Sequence, residues 1–275
     1  MTKIDTGTDD LHLDIADGIA LFTFNRPDRR NALSGPMLAA FGAGLARVET
    51  DPAVRCVVVT GAGGAFCAGG DVKGFAEGSA RADGAGPSFD ERVHQQRLDQ
   101  RATSGALYRM PKPTIAVLPG PAAGAGLSIA LACDLRVAVE GAVLTTAFAK
   151  VGFSGDYGGA WFLTQIVGPA KAKELYYFSD KLTTAEASAL GLLNAVFPAE
   201  ELEAGWRSMA TQLATGPSIA YRYMKENVNR AATGTDLFDF MDVEVTHHNY
   251  CGQTRDHLEA SKAFVEKRTP TFEGR

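Results

Sequence analysis

Gly61-Ala62-Gly63-Gly64-Ala65-Phe66-Cys67-Ala68-Gly69-Gly70-Asp71 decides how the rest of this chain is read. It follows an apolar run, Val54 to Thr60 (VRCVVVT), with the length and β-branched content of a buried strand. Five glycines and three alanines in eleven residues leave few side chains. Another molecule can approach such a backbone closely, and glycine also permits positive φ there. The chemistry on offer is therefore main-chain N–H groups. Gly120 to Gly126 (GPAAGAG) repeats the arrangement after the apolar run Thr114 to Leu118, and it opens an apolar helix. Two such units suggest two N–H donors converging on one oxygen, an oxyanion hole.

The flanking segments alternate strands and helices. Leu11 to Ile15 and Ile19 to Phe24, joined at Gly18, predict a hairpin. Ser34-Gly35-Pro36 predicts a helix start, followed by Met37, Leu38, Phe41, Leu45 and Val48 at helical spacing. Strands are expected at 54–60, 114–118, 134–139, 143–146 and 193–197. Helix 124–132 is apolar nearly all round and should be buried. A third glycine-rich loop, Gly152 to Gly159 (GFSGDYGG), opens a helix at Ala160. Helices at Pro169–Phe178 and Thr184–Leu190 follow, the latter with only a partial cap around Thr183 and Glu186. The pattern is that of a layered α/β domain. It divides into a core over 1–199 and an all-helical tail over 200–275, which needs the core or a sister subunit to pack against. Gly74 to Pro87 is small and polar, and Ser88 to Arg109 is a polar helical segment. Together they are either a lid over the glycine-rich site or a solvated loop and surface helix.

The bulk properties exclude several classes. A net charge of −5 over 275 residues lacks the basic face that nucleic acid requires. No apolar run approaches the roughly 20 residues that cross a bilayer, and the polar N-terminus lacks a signal-peptide core. Cys56, Cys67, Cys133 and Cys251 have no zinc or CxxC spacing and read as reduced thiols of a cytoplasmic protein. The five histidines show no metal-ligand spacing either. Gly61-x-Gly63 is followed by Phe66 and Gly124-x-Gly126 by Ile129, so neither completes a dinucleotide fingerprint. No P-loop Lys-Ser/Thr pair follows either stretch. No histidine lies near Ser128 in sequence to support a hydrolase triad.

Four runs in order, AFCAGGDVKGF, PGPAAGAGLSIALACDLRVA, GFSGDYGGAW and AFVEKRTPTF, together with NRPDRRNAL near the start, resemble the crotonase superfamily, the enoyl-CoA hydratase/isomerase family. The resemblance runs from about Leu11 to Phe272. It implies a spiral of strand–strand–helix units, and a C-terminal helical segment that builds homotrimers, often hexamers. It implies an acyl-CoA thioester as substrate, with coenzyme A arriving as part of that substrate and no separate cofactor or metal. The oxyanion donors fall on the amides of Gly70 and Ala125, the latter a position where many members have glycine. Ala32, Ala68, Asp71, Val72 and Lys73 line the CoA site. Phe264 and Lys267 reach the CoA of a neighbouring subunit.

The same resemblance exposes a departure. The two glutamates of the hydratases align with Ser128 and Phe148, neither of which is a base. One carboxylate remains, Asp156 in the third glycine-rich loop, where several isomerases of the family place an aspartate. Removing a proton beside a thioester carbonyl puts charge on its oxygen, which two fixed N–H groups stabilise. A single carboxylate then suits a proton shuttle, and Phe148 makes its surroundings apolar. Alternatively, Asp156 only caps the next helix, as Asp71 is read to do. Isomerisation of a double bond or ring, with Asp156 as base, is the favoured expectation. A hydratase using Ser128 to hold water, an aryl-CoA dehalogenase with Asp156 as nucleophile, and a non-catalytic acyl-CoA-binding protein are the others. His94 is read as a surface residue. Trp161 and Phe162 are core or acyl-pocket wall.

Overall fold

Why the run after Arg55 is apolar throughout becomes clear from its place in the sheet. The computed structural model describes residues 2–71 and 86–275. In it, β4 (Cys56–Gly61) lies between β3 (Ile19–Phe24) and β5 (Thr114–Leu118), parallel to both. Val57 and Val59 face one apolar cluster with Phe22, Phe24, Phe41 and Phe66. Cys56 and Val58 face a second, with Ile115, Val137 and Trp206. A strand buried on both faces has no polar side to alternate with.

The sheet has seven strands in the order β1 (Thr2–Ile4), β2 (Leu11–Ala16), β3, β4, β5, β7 (Leu135–Val139), β9 (Ala195–Phe197). β1, β2 and β3 pair antiparallel, and the rest pair parallel. The hairpin is as expected. β1 is an addition: the polar N-terminus contributes an edge strand, which needs only backbone groups to pair. A second, shorter ladder runs beside the main sheet. It comprises β6 (Ala122–Ala123) paired with β8 (Leu144–Thr145), and isolated bridges Leu33–Gly70, Cys67–Ala122 and Leu144–Leu182. Each turn of chain thus places one strand in the main sheet and then a short segment in the second ladder. This is the repeated strand–strand–helix spiral that the resemblance implies.

Helix α1 (Gly35–Thr50) starts where expected, with Ser34 Oγ accepting from the Met37 amide at 3.1 Å. Beyond the undescribed residues come α2 (Phe89–Ala102) and α3 (Ser104–Arg109). Ser88 and Glu91 form a reciprocal capping box on α2. Helix α4 (Ala125–Ala132) is buried at all eight positions. The two expected helices are both present and meet at a kink, taken together as α5 (Gly159–Phe178), where Gly168 leaves the helical conformation (φ 75°, ψ 165°) just before Pro169. On α6 (Thr184–Ala189) the cap is complete rather than partial, because Thr183 and Glu186 exchange both hydrogen bonds.

The tail is helical as predicted: α7 (Leu202–Ala214), α8 (Ser218–Ala232), α9 (Leu237–Gly252) and α10 (Arg255–Glu266). Helix α7 lays Trp206, Ala210 and Ala214 on the second face of the sheet. Lys225 of α8 reaches back to the core, where Nζ meets Asp134 Oδ2 at 3.0 Å and the Leu107 carbonyl at 3.0 Å. The C-terminal residues fold onto buried Asp256, which accepts from the amides of Glu273 (2.7 Å) and Gly274 (2.9 Å). Arg55 ties the same strap down through Ser218 Oγ and the carbonyls of Gly216 and Phe272. Helices α8 to α10 also hold out large apolar side chains, among them Phe238 (75 % exposed), Phe264 (85 %) and Val265 (80 %).

Candidate active site

The first glycine-rich turn is held from below by a buried asparagine. Asn31 Nδ2 donates to the carbonyls of Ala62 (2.9 Å) and Ala65 (2.8 Å), and its Oδ1 accepts from the Arg26 amide at 2.8 Å. Ala32 is buried beside it, and the Ala68 amide donates to the Arg30 carbonyl at 2.9 Å. Arg26 binds the Ala32 carbonyl (2.6 Å) and the Asp71 carboxylate (3.2 Å). Asp71 is therefore paired with Arg26. The helix it was read to cap, like Val72, Lys73 and the part of the expected lid from Gly74 to Ala85, falls outside the described residues.

The second turn lies against the first. The Ala123 amide donates to the Cys67 carbonyl at 2.9 Å, and Phe66 and Cys67 both donate to the Pro121 carbonyl. At Gly69, which has φ 87°, a methyl group would stand 2.8 Å from the Ala123 oxygen and 3.2 Å from the Ala125 nitrogen. At Gly126 it would stand 2.4 Å from the Cys67 oxygen. Backbone touches backbone at both places, so neither tolerates a side chain. Gly70, one residue on, bridges to Leu33. Ala125 opens α4 and has no carbonyl four residues back within the helix. Gly124 brings no side chain to cap it. Gly70 therefore follows directly on the residue that packs against Ala125.

The third loop closes the arrangement. Asp156 is half-buried, and its Oδ1 is sealed from solvent with no hydrogen-bond partner. Burial pushes its carboxyl up to about 6. It does not cap α5. The helix begins at Gly159 after Gly158, whose φ of 74° turns the chain, and it is the Asp156 carbonyl that accepts from the Gly159 amide at 3.0 Å. Phe148 is buried and stacks on Tyr176 with ring centroids 5.7 Å apart. The Phe148 ring also passes close to Gly124, and the Tyr176 ring close to Gly155. The charge of Asp156 reaches the Cys67 thiol in the first turn, which burial raises to about 12, and the Tyr176 hydroxyl, which burial also raises. Asp156 therefore faces neutral, apolar surroundings beside both glycine-rich turns.

Ser128 is buried, and its hydroxyl donates to the Gly124 carbonyl of its own helix at 3.2 Å. A methyl group on Gly159 would lie 2.1 Å from Ser128 Oγ and 2.9 Å from Tyr176 Oη, so the two hydroxyls converge where α5 starts. Tyr176 was not legible as a site residue; it sits seventeen positions into an ordinary-looking helix, and only the kinked path of α5 brings it here. The same holds for Gln100 of α2, whose Oε1 accepts from the Tyr157 amide at 2.8 Å. His94 is exposed on α2. Trp161 meets Tyr108 edge to face at 5.1 Å and lines a groove with Asp134 and Lys225. Phe264 and Lys267 stand exposed at the end of α10, where Lys267 takes the left-handed conformation that closes the helix. Among the described residues no three His, Cys, Asp or Glu side chains are grouped to hold a metal, and no helix is long and apolar enough to cross a membrane.

The fold and the paired glycine-rich turns define a crotonase-type protein. The enoyl-CoA hydratase/isomerase family model matches residues 14–275, and the chain belongs to that family. It is 35 % identical over 265 residues to a protein of Rhodobacter capsulatus named "Probable enoyl-CoA hydratase", covering 96 % of this chain and 98 % of that one. It is 34 % identical over 258 residues to the 1,2-epoxyphenylacetyl-CoA isomerase of Escherichia coli K12, covering 94 % and 96 %. The crystal structure of an enoyl-CoA hydratase from Polaromonas sp. JS666 superposes with a TM-score of 0.86 at 32 % identity, over 95 % of this chain and 99 % of that one.

Proposed function

We propose that this protein isomerises an unsaturated or ring-bearing acyl-CoA thioester, with Asp156 as the single base. One observation carries the reading. Asp156 Oδ1 is buried without a partner, and its carboxyl titrates near 6. A carboxylate so raised accepts a proton more readily and can return it. The amides of Gly70 and Ala125 hold the thioester oxygen and stabilise the enolate as the α- or γ-proton leaves. A shuttle of this kind needs no second acid, which fits Phe148 in place of a glutamate. The similarity to 1,2-epoxyphenylacetyl-CoA isomerase supports ring chemistry in particular.

Coenzyme A enters as part of the substrate, along Ala32, Ala68 and Asp71. No further cofactor takes part. The apolar side chains exposed on α8 to α10 pack against sister chains in a trimer, or in a hexamer built from two trimers. Lys267 and Phe264 meet the neighbour's CoA at that seam. The four cysteines, free in this chain, suit a reducing cytoplasm.

Hydration is the second reading, supported by the similarity to the Rhodobacter capsulatus protein. Ser128 Oγ keeps lone pairs that can accept from a water. The test is a panel of 2-enoyl-, 3-enoyl- and 2,3-epoxyacyl-CoA thioesters given to the parent protein and to Asp156→Asn. Isomerisation lost in the variant is the expected result. Full turnover in the variant removes the base from Asp156. Loss of enoyl absorbance from crotonyl-CoA marks a hydratase. An Asp156 adduct in the intact mass on halogenated aryl-CoA marks a dehalogenase. Saturable binding with no turnover marks a binding protein.

A further inference from the structure

Gln100 stands in the last turn of α2 and sends its side chain across the site. Its Oε1 accepts from the Tyr157 amide at 2.8 Å, a contact between residues 57 positions apart. The main chain it meets is unusual. Tyr157 has φ 49°, a region that a bulky residue occupies only when its surroundings hold it there. Gly155 (φ 117°) and Gly158 (φ 74°) flank it, so three of four consecutive residues have positive φ. The Tyr157 ring is buried, at 5 % exposure. Asp156 lies inside this turn, and its own side chain anchors nothing through the unpartnered Oδ1. Ser104 Oγ donates to the main-chain carbonyl of Gln100 at 3.1 Å.

We propose that Gln100 is a positioning residue: its side-chain carbonyl holds the Tyr157 amide and thereby aims the adjacent Asp156 carboxyl toward the two glycine-rich turns. The inference rests on the reading of Asp156 as base. An amide oxygen suits the task because it accepts without adding charge beside a group that must ionise. Among the described residues, the titratable groups that feel the Asp156 charge are Cys67 from the first turn, Tyr176 from α5 and Tyr157 from its own loop. Each is raised by burial and stays neutral at pH 7. Asp99, next to Gln100, acts on the Tyr157 hydroxyl. What sets the Asp156 titration is therefore how far the loop keeps water away, and Gln100 controls the loop.

The test reads that carboxyl directly, without a substrate. Aspartate is labelled with 13C at the carboxyl, and the Asp156 resonance is assigned by its absence from Asp156→Asn. The midpoint is followed in Gln100→Ala, Gln100→Met and Gln100→Glu. Ala and Met lack the acceptor, and their midpoints are expected to fall by about one pH unit or more as water enters. Glu keeps an acceptor oxygen, and its midpoint stays at or above the parent's. On the thioester the parent turns over best, Ala and Met lower kcat by about tenfold with KM little changed, while Glu recovers kcat at a pH above its own midpoint. Folding is checked by circular dichroism, and Met preserves the packed stem should Ala unfold. A parental midpoint and parental kcat in folded Ala and Met variants overturn the proposal. Full turnover in Asp156→Asn instead sinks the base reading, and the midpoint shift alone then decides whether Gln100 positions the carboxyl.

Discussion

Gly69 touches Ala125. A methyl group at Gly69 would stand 3.2 Å from the Ala125 nitrogen, and φ there is 87°. The first and second glycine-rich turns are thus locked together by the absence of a side chain. They come from different turns of the spiral, and this contact brings Gly70, next in the chain, close to Ala125.

Gly69→Ala tests it. The new methyl meets the Ala123 carbonyl at 2.8 Å and occupies a backbone conformation that alanine resists. Parting the turns moves one donor away from the thioester oxygen, and losing one such donor costs about a hundredfold in kcat. Thermal unfolding should report a loss of about 1–3 kcal/mol. Gly64→Ala is the control. It also has positive φ, but nothing lies within 4 Å of its Cβ position, so it should be destabilised without the collapse in kcat.

With Asp156 as the proposed base, its raised carboxyl is expected to set the acid limb of activity. A base must be ionised, so kcat/KM should be flat above the midpoint near 6 and fall about tenfold per pH unit below it. A carboxylate at its ordinary value would keep activity down to about pH 4. A plateau that reaches pH 5 would contradict the assignment.

The same shift makes Asp156 a burden on the fold. Its pKa is higher folded than unfolded, so the native state binds the extra proton between the two values. Stability therefore falls as pH rises through that window, and the penalty is complete above about 6. Asp156→Asn removes the ionisation. At pH 7 it should stabilise the protein by on the order of 1–2 kcal/mol, allowing for a half-buried group, and the gain should vanish near pH 4. Denaturant unfolding at the two pH values measures it. A variant less stable than the parent at pH 7 would show that the carboxylate has a partner after all.

Much of this arrangement was legible before any coordinates. The double-sided burial of β4 is written in VRCVVVT, and the two glycine-rich turns advertise backbone chemistry by lacking side chains. Asp156 stood out because the aligned glutamates were missing. Other features left no mark. Gln100 and Tyr176 reach the site through contacts between distant elements, and neither residue type signals a site by itself. The helix-cap reading of Asp156 failed for a local reason: Gly158 takes the left-handed turn and the N-cap position itself, so the helix starts at Gly159 with no side chain capping it. β1 was invisible because an edge strand needs no apolar pattern.

Phe148 stacks on the tyrosine whose hydroxyl feels the Asp156 charge, and it makes the last prediction. It is buried, stacked on Tyr176 at 5.7 Å, and its ring lies beside Gly124 at the head of α4. Phe148→Leu keeps an apolar wall but gives up the stack, at a cost of about 1–2 kcal/mol. Water then reaches Asp156, its pKa moves toward the ordinary carboxylate range, and the acid limb of kcat/KM should shift down by about half a unit to one unit. The opposite replacement, Phe148→Glu, puts a second carboxylate against the Tyr176 ring, whose hydroxyl the Asp156 charge reaches. A like charge added to the same site raises one of the two midpoints, so the acid limb should move above pH 6 while isomerisation weakens. Measuring both profiles on one substrate separates the two effects. Limbs that move the same way in both variants would mean that the aromatic stack does not govern the base.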